Sequence, residues 1–504
     1  MVVDKKQKSH RFVRWIIQFF FLGLFIFFFL QTRFNLPVRL QNIFFRFDPL
    51  VLLITSIAFR TVIAGALLGI IILILSLIFG RFFCGFICPL GTVIDIFDAL
   101  IFRTRPVRKI IPLKNLKYMI LIFLAISAVT GVSFLHFFDP LVIMERSLTL
   151  LLYPVLSFFA SQFILITNAV FTETLIALFF FLSILGLGFI AGRFWCRNLC
   201  PLGSLLSLFS RFSLFKFTIL EACKDCGICE NICPTKAISI EEKAIDPAEC
   251  ISCLRCLHEC PHQTIAYKKH LAPGPLNIKR REFVTSIAAS IIAVPMASSF
   301  LHRRLKGRLI RPPCSIREKD FLNVCLHCGM CMKVCPTNGL QPCILDAGIN
   351  GLWTPKLVPR IGGCEKNCNK CSQVCPTGAI RKLSLEEKTY AKMGTAVIDK
   401  SRCIAWEQDK VCLICDEACP FNAISSLNET VQDKKLLRPF VDERICTGCG
   451  LCEALCPIDG SGAIEVFSIG EERKNKGSYI TKEKKSLRAC EEKPEDIPSG
   501  FILE

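Results

Sequence analysis

The chain has 504 residues, of which 52% are hydrophobic, 43 are phenylalanine and 31 are cysteine. This composition is too apolar for an ordinary soluble protein, and the cysteines recur in C-x-x-C runs that indicate metal ligation rather than a disulfide scaffold. The net charge of +19 does not indicate a nucleic-acid partner, because many of the basic residues flank the apolar segments, where membrane proteins carry them.

The first predicted element is a membrane anchor. Five basic residues within residues 1–14 precede a Phe-rich apolar run that ends at Leu30. A cleaved signal peptide is the alternative, but no small-x-small cleavage site follows the run, so we expect a retained helix. Further apolar segments of spanning length lie near 61–80, 118–138 and 174–192, which predicts an α-helical membrane bundle of four spans.

The bundle is predicted to be an internal duplication of a two-helix unit. Each half contains Phe-Asp-Pro-Leu-Val, then an apolar span, then Gly-Arg-Phe and C-x3-C-Pro-Leu-Gly. These segments are 47–51 and 80–91 in the first half, and 138–142 and 192–203 in the second. Two matched elements in the same order are the signature of a repeat.

The distribution of Lys and Arg predicts the topology of this bundle. Sixteen lie in the N-terminus, residues 81–117 and residues 193–216, against five in the two intervening loops. Both C-x3-C-P ends are therefore expected on the cytoplasmic side, with both Phe-Asp-Pro loops opposite. Residues 150–170 are apolar enough for another span, which would put the repeats on opposite sides. We interpret this Pro154-containing stretch as a membrane-dipping or interfacial segment.

The rest of the chain is cysteine-rich and divides into α+β ferredoxin domains of the bacterial type. The predicted divisions are a bundle at 1–216, a two-cluster domain at 217–270, a linker with a potential fifth span at 271–312, a four-cluster domain at 313–470 and a charged, poorly ordered tail at 471–504.

The strongest motif is C-x2-C-x2-C-x3-C-P, which bacterial-type ferredoxins use to hold 4Fe–4S clusters. It occurs four times in full, and two variants move the first cysteine. The full motifs are Cys223-Cys226-Cys229-Cys233, Cys250-Cys253-Cys256-Cys260, Cys325-Cys328-Cys331-Cys335 and Cys446-Cys449-Cys452-Cys456. The variants are Cys364-Cys368-Cys371-Cys375 and Cys403-Cys412-Cys415-Cys419. We predict six 4Fe–4S clusters on these 24 cysteines; zinc would not need six complete quartets that each end in Cys-Pro.

The fourth cysteine of each motif is expected to ligate the partner cluster. In the small domain this crossing predicts one quartet of Cys223, Cys226, Cys229 and Cys260. The other is then Cys250, Cys253, Cys256 and Cys233. In the larger domain the pairing stays open, although nested pairing resembles the four-cluster subunits of respiratory molybdoenzymes.

Four further cysteines lie in the bundle at the C-x3-C-P motifs. They are Cys84, Cys88, Cys196 and Cys200. Each pair is one helical turn apart, so both thiols can face a common site with a redox or metal-contact role. The alternative is a pair of buried thiols at a helix end. For Cys314, Cys343 and Cys490 no role is expected.

The sequence gives weaker signals for other cofactors and for a quinol site. The chain has no C-x-x-C-H and no G-x-G-x-x-G or P-loop, so neither haem nor a nucleotide is expected. Asp48, Asp139, His136 and Glu145 lie near the non-cytoplasmic ends of spans. They are either groups that exchange protons with a quinol or ordinary interfacial caps.

Residues 10–270 resemble NapH, the membrane quinol-dehydrogenase subunit linked to periplasmic nitrate reductase. The NosR and CcoG/FixG polyferredoxins share this likeness. The remainder, from Arg280-Arg281-Glu282-Phe283-Val284 through four motifs, resembles NapG, whose twin-arginine signal directs a folded four-cluster protein across the membrane. The chain thus resembles a NapH–NapG fusion.

The resemblance implies a quinol-dehydrogenase-type component of the bacterial inner membrane. Electrons would pass from the quinol pool to a reductase or c-type cytochrome, with the two-cluster domain cytoplasmic and the four-cluster domain periplasmic. If residues 283–301 do not cross, all six clusters are cytoplasmic. The alternative is an assembly or regulatory factor like CcoG or NosR, in which the C-x3-C-P thiols handle metal. Reverse electron flow into the quinone pool is a third interpretation.

Overall fold

The computed structural model describes most of the chain. The described residues are 4–32, 42–60, 67–101, 115–162, 168–172, 174–269, 273–274, 280–301, 308–344, 346–431 and 434–489. Three predicted features lie outside them, namely Cys490, residues 490–504 of the charged tail and residues 61–66 of the second predicted span.

The N-terminal part is a bundle of apolar helices. Its α-helices are α1 (Asp4–Gln31), α2 (Ile43–Arg46), α3 (Pro49–Phe59), α4 (Gly69–Phe79), α5 (Phe82–Phe86), α6 (Pro89–Ile101), α7 (Leu116–Thr130), α8 (Leu135–Phe138), α9 (Pro140–Ser147), α10 (Tyr153–Ser161), α11 (Thr174–Gly186) and α12 (Pro201–Ser210). Leu148–Leu152 and Trp195–Leu199 are π-helical, and Leu187–Phe189 is a 3-10 turn.

The Phe-Asp-Pro motif of each repeat starts a helix. Asp48 is the N-cap of α3 and accepts a hydrogen bond from the backbone N–H of Leu50 at 2.8 Å. Asp139 caps α9 in the same way, with the N–H of Leu141 at 2.9 Å. The proline then occupies the first helical turn, where its missing N–H costs nothing. The sequence repeat is therefore also a structural repeat.

Two helical runs are long and apolar enough to cross a membrane, Phe12–Gln31 and Pro140–Ser161. The other apolar helices in the described part of the bundle are shorter, so the predicted four spans are not confirmed. The third predicted span ends early because Gly131 adopts a left-handed φ of 81° and closes α7. Pro140–Ser161 overlaps the stretch that the sequence placed at the membrane interface.

The small domain is a ferredoxin unit with two two-stranded sheets. Its elements are β1 (Phe215–Ile219), α13 (Ile228–Ile232), β2 (Ile238–Ser239), β3 (Ala244–Ile245), α14 (Arg255–Glu259) and β4 (Ile265–Lys269). The antiparallel pair β1–β4 aligns Phe217 with Tyr267, and β2 pairs with β3. The sheet closes the cysteine-bearing loops on both sides.

One long helix, α15 (Arg280–Leu301), links this domain to the larger one. The larger domain then contains α16 (Glu318–Val324), α17 (Met330–Lys333), β5 (Leu340–Pro342), β6 (Pro355–Leu357), α18 (Lys370–Val374), α19 (Leu385–Thr389), β7 (Thr395–Ile398), α20 (Ile404–Glu407), α21 (Ile414–Glu417), β8 (Ile424–Val431), β9 (Lys434–Val441), α22 (Leu451–Leu455), β10 (Ile464–Phe467) and α23 (Lys482–Ala489). Its antiparallel pairs are β5–β6, β7–β10 and β8–β9.

The two ferredoxin domains pack against opposite ends of the bundle. At the start of α7, Lys117 donates to Glu249 of the small domain at 2.7 Å. At the end of α7, Gly131 lies against Asn323 of the larger domain. Fourteen residues of α-helix between these contacts correspond to roughly 21 Å.

Helix α15 runs along α7 in the same direction. Near its start, Glu282 accepts a hydrogen bond from Asn115 at 2.6 Å, and further along it reaches the 3-10 turn Ile349–Gly351 of the larger domain. Its outward face is apolar, with Ile291 and Ile292 57% and 63% exposed. Phe179 of α11 is 76% exposed in the same manner. Such an exposed apolar surface requires a partner or a lipid environment.

Candidate functional site

The small domain brings its eight motif cysteines together as two quartets. One cavity is lined by Cys223, Cys226, Cys229 and Cys260, and a second by Cys233, Cys250, Cys253 and Cys256. These are the quartets expected from crossed ligation. Gly227 makes the turn before α13 with a φ of 72°, and the Ala237 N–H donates to the Cys233 sulfur at 3.3 Å. Such amide–sulfur bonds stabilise thiolates that hold a cluster.

The larger domain pairs its third and fourth motifs. One cavity is lined by Cys403, Cys412, Cys415 and Cys456, and another by Cys419, Cys446, Cys449 and Cys452. Here too the fourth cysteine crosses to the partner quartet. The Cys419 and Cys456 sulfurs each accept a backbone N–H at 3.3 Å, from Ala423 and Ala463.

The first and second motifs of the larger domain also pair with each other. Cys325, Cys328 and Cys331 each lie within electrostatic range of Cys375, and Cys364, Cys368 and Cys371 each lie within range of Cys335. Helices α17 and α18, which carry these loops, are in contact. The pairing is between neighbours in sequence, so the nested arrangement does not describe this domain.

The cavities suit clusters better than single ions. In the described part of the chain, no three His, Cys, Asp or Glu side chains converge closely enough to hold one metal ion. Instead, four cysteines line each of four cavities. A tetrahedral zinc site needs four donors that meet at one point, whereas a cubane separates its four thiolates. The residues therefore fit 4Fe–4S clusters.

The four C-x3-C-P cysteines also converge. Cys84 lies in α5, Cys196 lies in the π-helical turn before α12, and both second cysteines immediately precede a Pro-initiated helix. Cys88 and Cys200 lie within electrostatic range of each other and of the other two. All four are between 5% and 8% exposed. The structure thus makes one buried cluster of thiols from the two repeats, which we call the thiol quartet.

The arginine of each Gly-Arg-Phe motif reaches across to the other repeat. Arg193 donates to the carbonyl oxygens of Cys84 at 2.9 Å and Gly91 at 3.2 Å. Arg81 reaches the second repeat, where its Nη2 would lie 2.7 Å from a Cβ placed on Gly203. A side chain at Gly203 would displace this guanidinium, which explains glycine there.

Two buried carboxylates balance part of the positive charge of Arg81 and Arg193. Asp95 accepts from Arg193 at 2.6 and 2.8 Å and is 1% exposed. Glu249, from the small domain, pairs with Lys117 at 2.7 Å and lies 3.6 Å from Arg81. The small domain is therefore fixed to the bundle by buried ion pairs beside the thiol quartet.

The opposite end of the bundle contacts the first motif of the larger domain through rings. His136 stacks on His327 with ring centroids 3.7 Å apart, and the Arg146 guanidinium lies 3.8 Å from the Trp353 ring centroid. Burial lowers the pKa of His327 to about 3, so its ring is neutral. His327 lies between Cys325 and Cys328, so the stack joins the bundle to a cysteine-bearing loop.

The predicted proton-exchanging groups gather at this end. Asp48 and Asp139 are both fully buried and lie beside each other. One oxygen of each is a helix cap, as the cap interpretation expects, and the two side chains are also hydrogen-bonded to each other, which requires a proton on one of them. Both ring nitrogens of His136 have no hydrogen-bond partner among the described residues. Glu145 is buried and lies within electrostatic range of Lys333.

The remaining predicted cysteines in the described part of the chain lie beside quartets of the larger domain. Cys314 and Cys343 are buried at 4% and 0% exposure, and Arg311 lies 3.5 Å from the Cys343 sulfur. Cys314 is within electrostatic range of Cys364 and Cys371, and Cys343 is within range of Cys325.

Three curated relatives align with this chain over most of their own length. The ferredoxin-type protein NapG of Escherichia coli is 32% identical over 201 residues, which is 38% of this chain and 86% of NapG. The methylamine utilization ferredoxin-type protein MauM of Paracoccus denitrificans is 35% identical over 171 residues, 32% of this chain and 72% of MauM. An uncharacterized protein of Methanocaldococcus jannaschii is 31% identical over 215 residues, 41% of this chain and 72% of that protein. The chain belongs to the NapG/MauM family of ferredoxin-type proteins.

Family models for 4Fe–4S binding cover both parts of this NapG/MauM-type ferredoxin. A 4Fe-4S dicluster domain matches residues 222–264, 364–423 and 410–460, and a 4Fe-4S binding domain matches residues 325–338. The match at 364–423 groups the second and third motifs, whereas the side-chain positions group each with its other neighbour. The side-chain positions decide which motifs pair, because ligation depends on where the sulfurs lie.

A different 4Fe-4S binding domain matches residues 61–109 and 174–219 of the bundle. Each match contains one C-x3-C-P pair. The match supports the duplication, since both halves of the bundle resemble the same 4Fe-4S binding domain. The likeness to NapH itself stays a prediction from the motifs.

Sequence reasoning missed several residues of the site. Arg81 and Arg193 had a visible signal, since both repeats carry Gly-Arg-Phe at the same distance from the first cysteine. Asp95 is buried on α6 without a counterpart in the second repeat, where Ser207 occupies the matching position. His327 and Trp353 carry no sequence signal, because their role depends on how the larger domain packs on the bundle.

Proposed function

We propose that this protein is a membrane-bound electron conduit that takes electrons from quinol and passes them through six 4Fe–4S clusters to a partner reductase or c-type cytochrome. The observation that carries the proposal is that two ferredoxin domains pack against opposite ends of one apolar bundle. Family membership supports ferredoxin-type electron transfer. The exposed apolar faces of α11 and α15 support insertion in a membrane.

This geometry supports a membrane arrangement. In the bacterial inner membrane, the small domain and the C-x3-C-P ends lie in the cytoplasm, and the larger domain lies in the periplasm. Helix α15 would cross beside α7, which supports the predicted fifth crossing and the twin-arginine interpretation of Arg280-Arg281. Helix α1 also joins both ends, since Arg14 contacts Asp95 and Phe29 contacts Lys333.

Quinol oxidation is assigned to the end that carries the Phe-Asp-Pro loops. Oxidation of a quinol to a quinone releases two electrons and two protons. The buried carboxyl pair of Asp48 and Asp139, whose side chains are hydrogen-bonded to each other, can take up and release a proton, and His136 lies beside the cysteine-bearing loop at His327. The electrons would enter the nearest cluster of the larger domain one at a time, and the protons would leave through the carboxyl pair.

An assembly or regulatory role for the C-x3-C-P thiols fits less well. A thiol that delivers metal or exchanges disulfides has to be accessible to its client. All four thiols are at most 8% exposed and lie beneath the small domain.

The proposal is tested by redox-monitored EPR on membranes that contain the full chain. Addition of a menaquinol analogue is expected to reduce clusters of the larger domain, and the Asp48→Asn, Asp139→Asn double variant is expected to slow this reduction at least tenfold. The surface variant Asp442→Asn is the control. If quinol reduces no cluster in the unaltered protein, forward flow is wrong; reduction of quinone by prereduced protein would indicate the reverse direction.

The topology has its own test. Protease added to intact spheroplasts is expected to cleave the larger domain and leave the small domain intact. Cleavage of neither domain would place both on the cytoplasmic side.

A further inference from the structure

The thiol quartet has two cysteines at helix N-termini. Cys88 precedes α6 and Cys200 precedes α12, and their sulfurs accept the backbone N–H groups of Gly91 at 3.4 Å and Gly203 at 3.3 Å. The N-terminus of a helix stabilises negative charge, so both positions offer backbone N–H donors to a metal-bound thiolate. This geometry prepares the quartet to bind a metal centre.

Arg81 gives a second, independent indication of a ligand. Its side chain is 0% exposed, and only Nη1 has partners, the carbonyl oxygen of Ala248 at 2.9 Å and the carboxylate of Glu249. Its Nε and Nη2 have no hydrogen-bond partner among the described residues. The guanidinium lies within electrostatic range of Cys84 and Cys200. Buried donors without partners are costly, so an acceptor such as a cluster sulfur is expected between the two repeats.

The local charge also calls for an anion. Five cationic side chains that are at most 4% exposed lie at this end of the bundle, against two equally buried carboxylates. The cations are Arg14, Arg81, Lys117, Arg193 and Arg197, and the carboxylates are Asp95 and Glu249. An excess of buried positive charge is unfavourable unless a bound anion compensates for it. A 4Fe–4S cluster with four thiolate ligands, which carries a charge of about −2, would compensate most of this excess.

We propose that Cys84, Cys88, Cys196 and Cys200 together bind one iron–sulfur cluster of the 4Fe–4S class, which is a seventh centre shared by the two repeats. Each repeat supplies two ligands, so neither repeat can hold the cluster alone. A single metal ion does not suit the quartet, because its thiols do not converge on one point. The 4Fe-4S binding domain matched by each half accords with this assignment.

The position of this centre indicates a role in electron transfer. Gly85, between Cys84 and Cys88, lies so close to the small domain that an added Cβ would be 2.2 Å from the carbonyl oxygen of Ile251. Ile251 is flanked by the cluster ligand Cys250 and lies two residues before Cys253. The shared centre is therefore the neighbour of the Cys250 quartet and shortens the gap of roughly 21 Å between the two ends of α7.

Iron and acid-labile sulfide content tests the proposal directly. The purified full chain is expected to hold roughly 28 iron atoms, and Cys88→Ser and Cys200→Ser are each expected to hold about four fewer iron and sulfide. The double variant is expected to lose no more than either single variant, because both thiols serve one cluster. The exposed Ser183→Ala on α11 is the control and should lose none.

Other outcomes would overturn the inference. Unchanged iron in both single variants would mean that the quartet binds no cluster. Twice the loss in the double variant would indicate two separate centres, and loss of about one metal without sulfide would indicate a mononuclear site. Retained EPR signals of the ferredoxin domains in the variants exclude general unfolding as the cause.

Arg81 provides a milder variant. Arg81→Gln removes a positive charge beside the cluster and is expected to lower its reduction potential in an EPR-monitored titration, whereas Arg81→Lys restores most of it. An unchanged potential in Arg81→Gln would contradict the placement of the cluster beside this guanidinium. Neither readout needs quinol, so this inference and the proposed quinol oxidation can fail separately.

Discussion

The two ends of the bundle hold their ferredoxin domains by different physical means. At the C-x3-C-P end, Glu249 of the small domain pairs with Lys117 and Arg81 of the bundle, and Arg255 of the small domain lies 3.5 Å from Asp95. At the Phe-Asp-Pro end, the larger domain is held by ring contacts, namely the stack of His136 on His327 and the Arg146–Trp353 contact.

The difference indicates what each end has to accommodate. Ion pairs in a buried site are retained despite their desolvation cost when a further charge has to be held there. At the Phe-Asp-Pro end, Glu145 lies within electrostatic range of Lys333, while the buried carboxyl groups of Asp48 and Asp139 are hydrogen-bonded to each other and share a proton. One end is therefore suited to a permanent anion and the other to a reactant that gains and loses protons.

The largest expected effect concerns Asp95. Asp95→Ala leaves Arg193 and Arg14 buried without their carboxylate, so we expect a loss of about 3 to 5 kcal/mol in the free energy of unfolding. Denaturant titration in detergent measures this loss. The exposed pair of Asp409 and Arg438 provides the control, since Asp409→Ala should cost less than about 1 kcal/mol. Equal effects of the two variants would show that the charged end is not specially stabilised.

The stability of the larger domain is expected to fall at low pH because of Glu318. Burial by itself raises the pKa of Glu318, but the guanidinium groups of Arg311 and Arg473 outweigh burial and hold the pKa at about 2, below its ordinary value of 4.5. Glu318 begins α16, which packs on α3 of the bundle. The ion pairs thus stabilise the domain above pH 4.5, and this contribution is lost as the pH falls toward 2.

The measurement compares the unaltered protein with Glu318→Gln. At neutral pH we expect the variant to be less stable by about 3 kcal/mol, and this difference should shrink below pH 4.5. A difference that is constant between pH 7 and pH 3 would contradict the assigned pKa.

A smaller effect is expected from Gly85→Ala. The new Cβ would meet the Ile251 carbonyl at 2.2 Å, so the small domain has to move away from the bundle, at a cost of about 1 to 3 kcal/mol. Protease protection of the small domain reports this change. Gly23→Ala in α1 is the matched control, because nothing lies within 4 Å of its added Cβ and helix propensity favours alanine. If both variants are equally protected, the small domain does not pack as described.

The smallest effect is expected at the ring contacts. His136→Leu removes the stack on His327 and should weaken the docking of the larger domain by about 1 kcal/mol. Hydrogen exchange at the backbone amides of residues 325–331 measures the docking. The exposed His262→Leu should leave this exchange unchanged. Faster exchange in both variants would mean that the stack does not hold this end.

Local features of the sites could be read from the sequence. The spacing of the cysteine motifs predicts the two quartets of the small domain, because three ligands lie in one loop and only one partner motif is available. In the larger domain four motifs are present, and spacing does not say whose fourth cysteine lies nearest. That choice depends on the packing of α17 on α18 and of α21 on α22.

Features that depend on packing between repeats could not be predicted. The sequence places Cys84 and Cys88 one helical turn apart, but their meeting with the second pair requires the two repeats to face each other. The third predicted span extends to residue 138, whereas α7 ends at Thr130. The apolar sequence continues past Gly131, but the helix does not. The distant contact of His136 with His327 joins segments that are almost two hundred residues apart, and no periodicity reports it.

Helix α15 makes the two ferredoxin domains parts of one covalent chain while it runs from one end of the bundle to the other. NapG and MauM align with only 38% and 32% of this chain, so the larger share of it lies outside those alignments. A tethered domain meets its docking surface at an effective concentration in the millimolar range, however dilute the protein is in the membrane. The rate of transfer between the domains should therefore be independent of expression level, as for a reaction within one molecule.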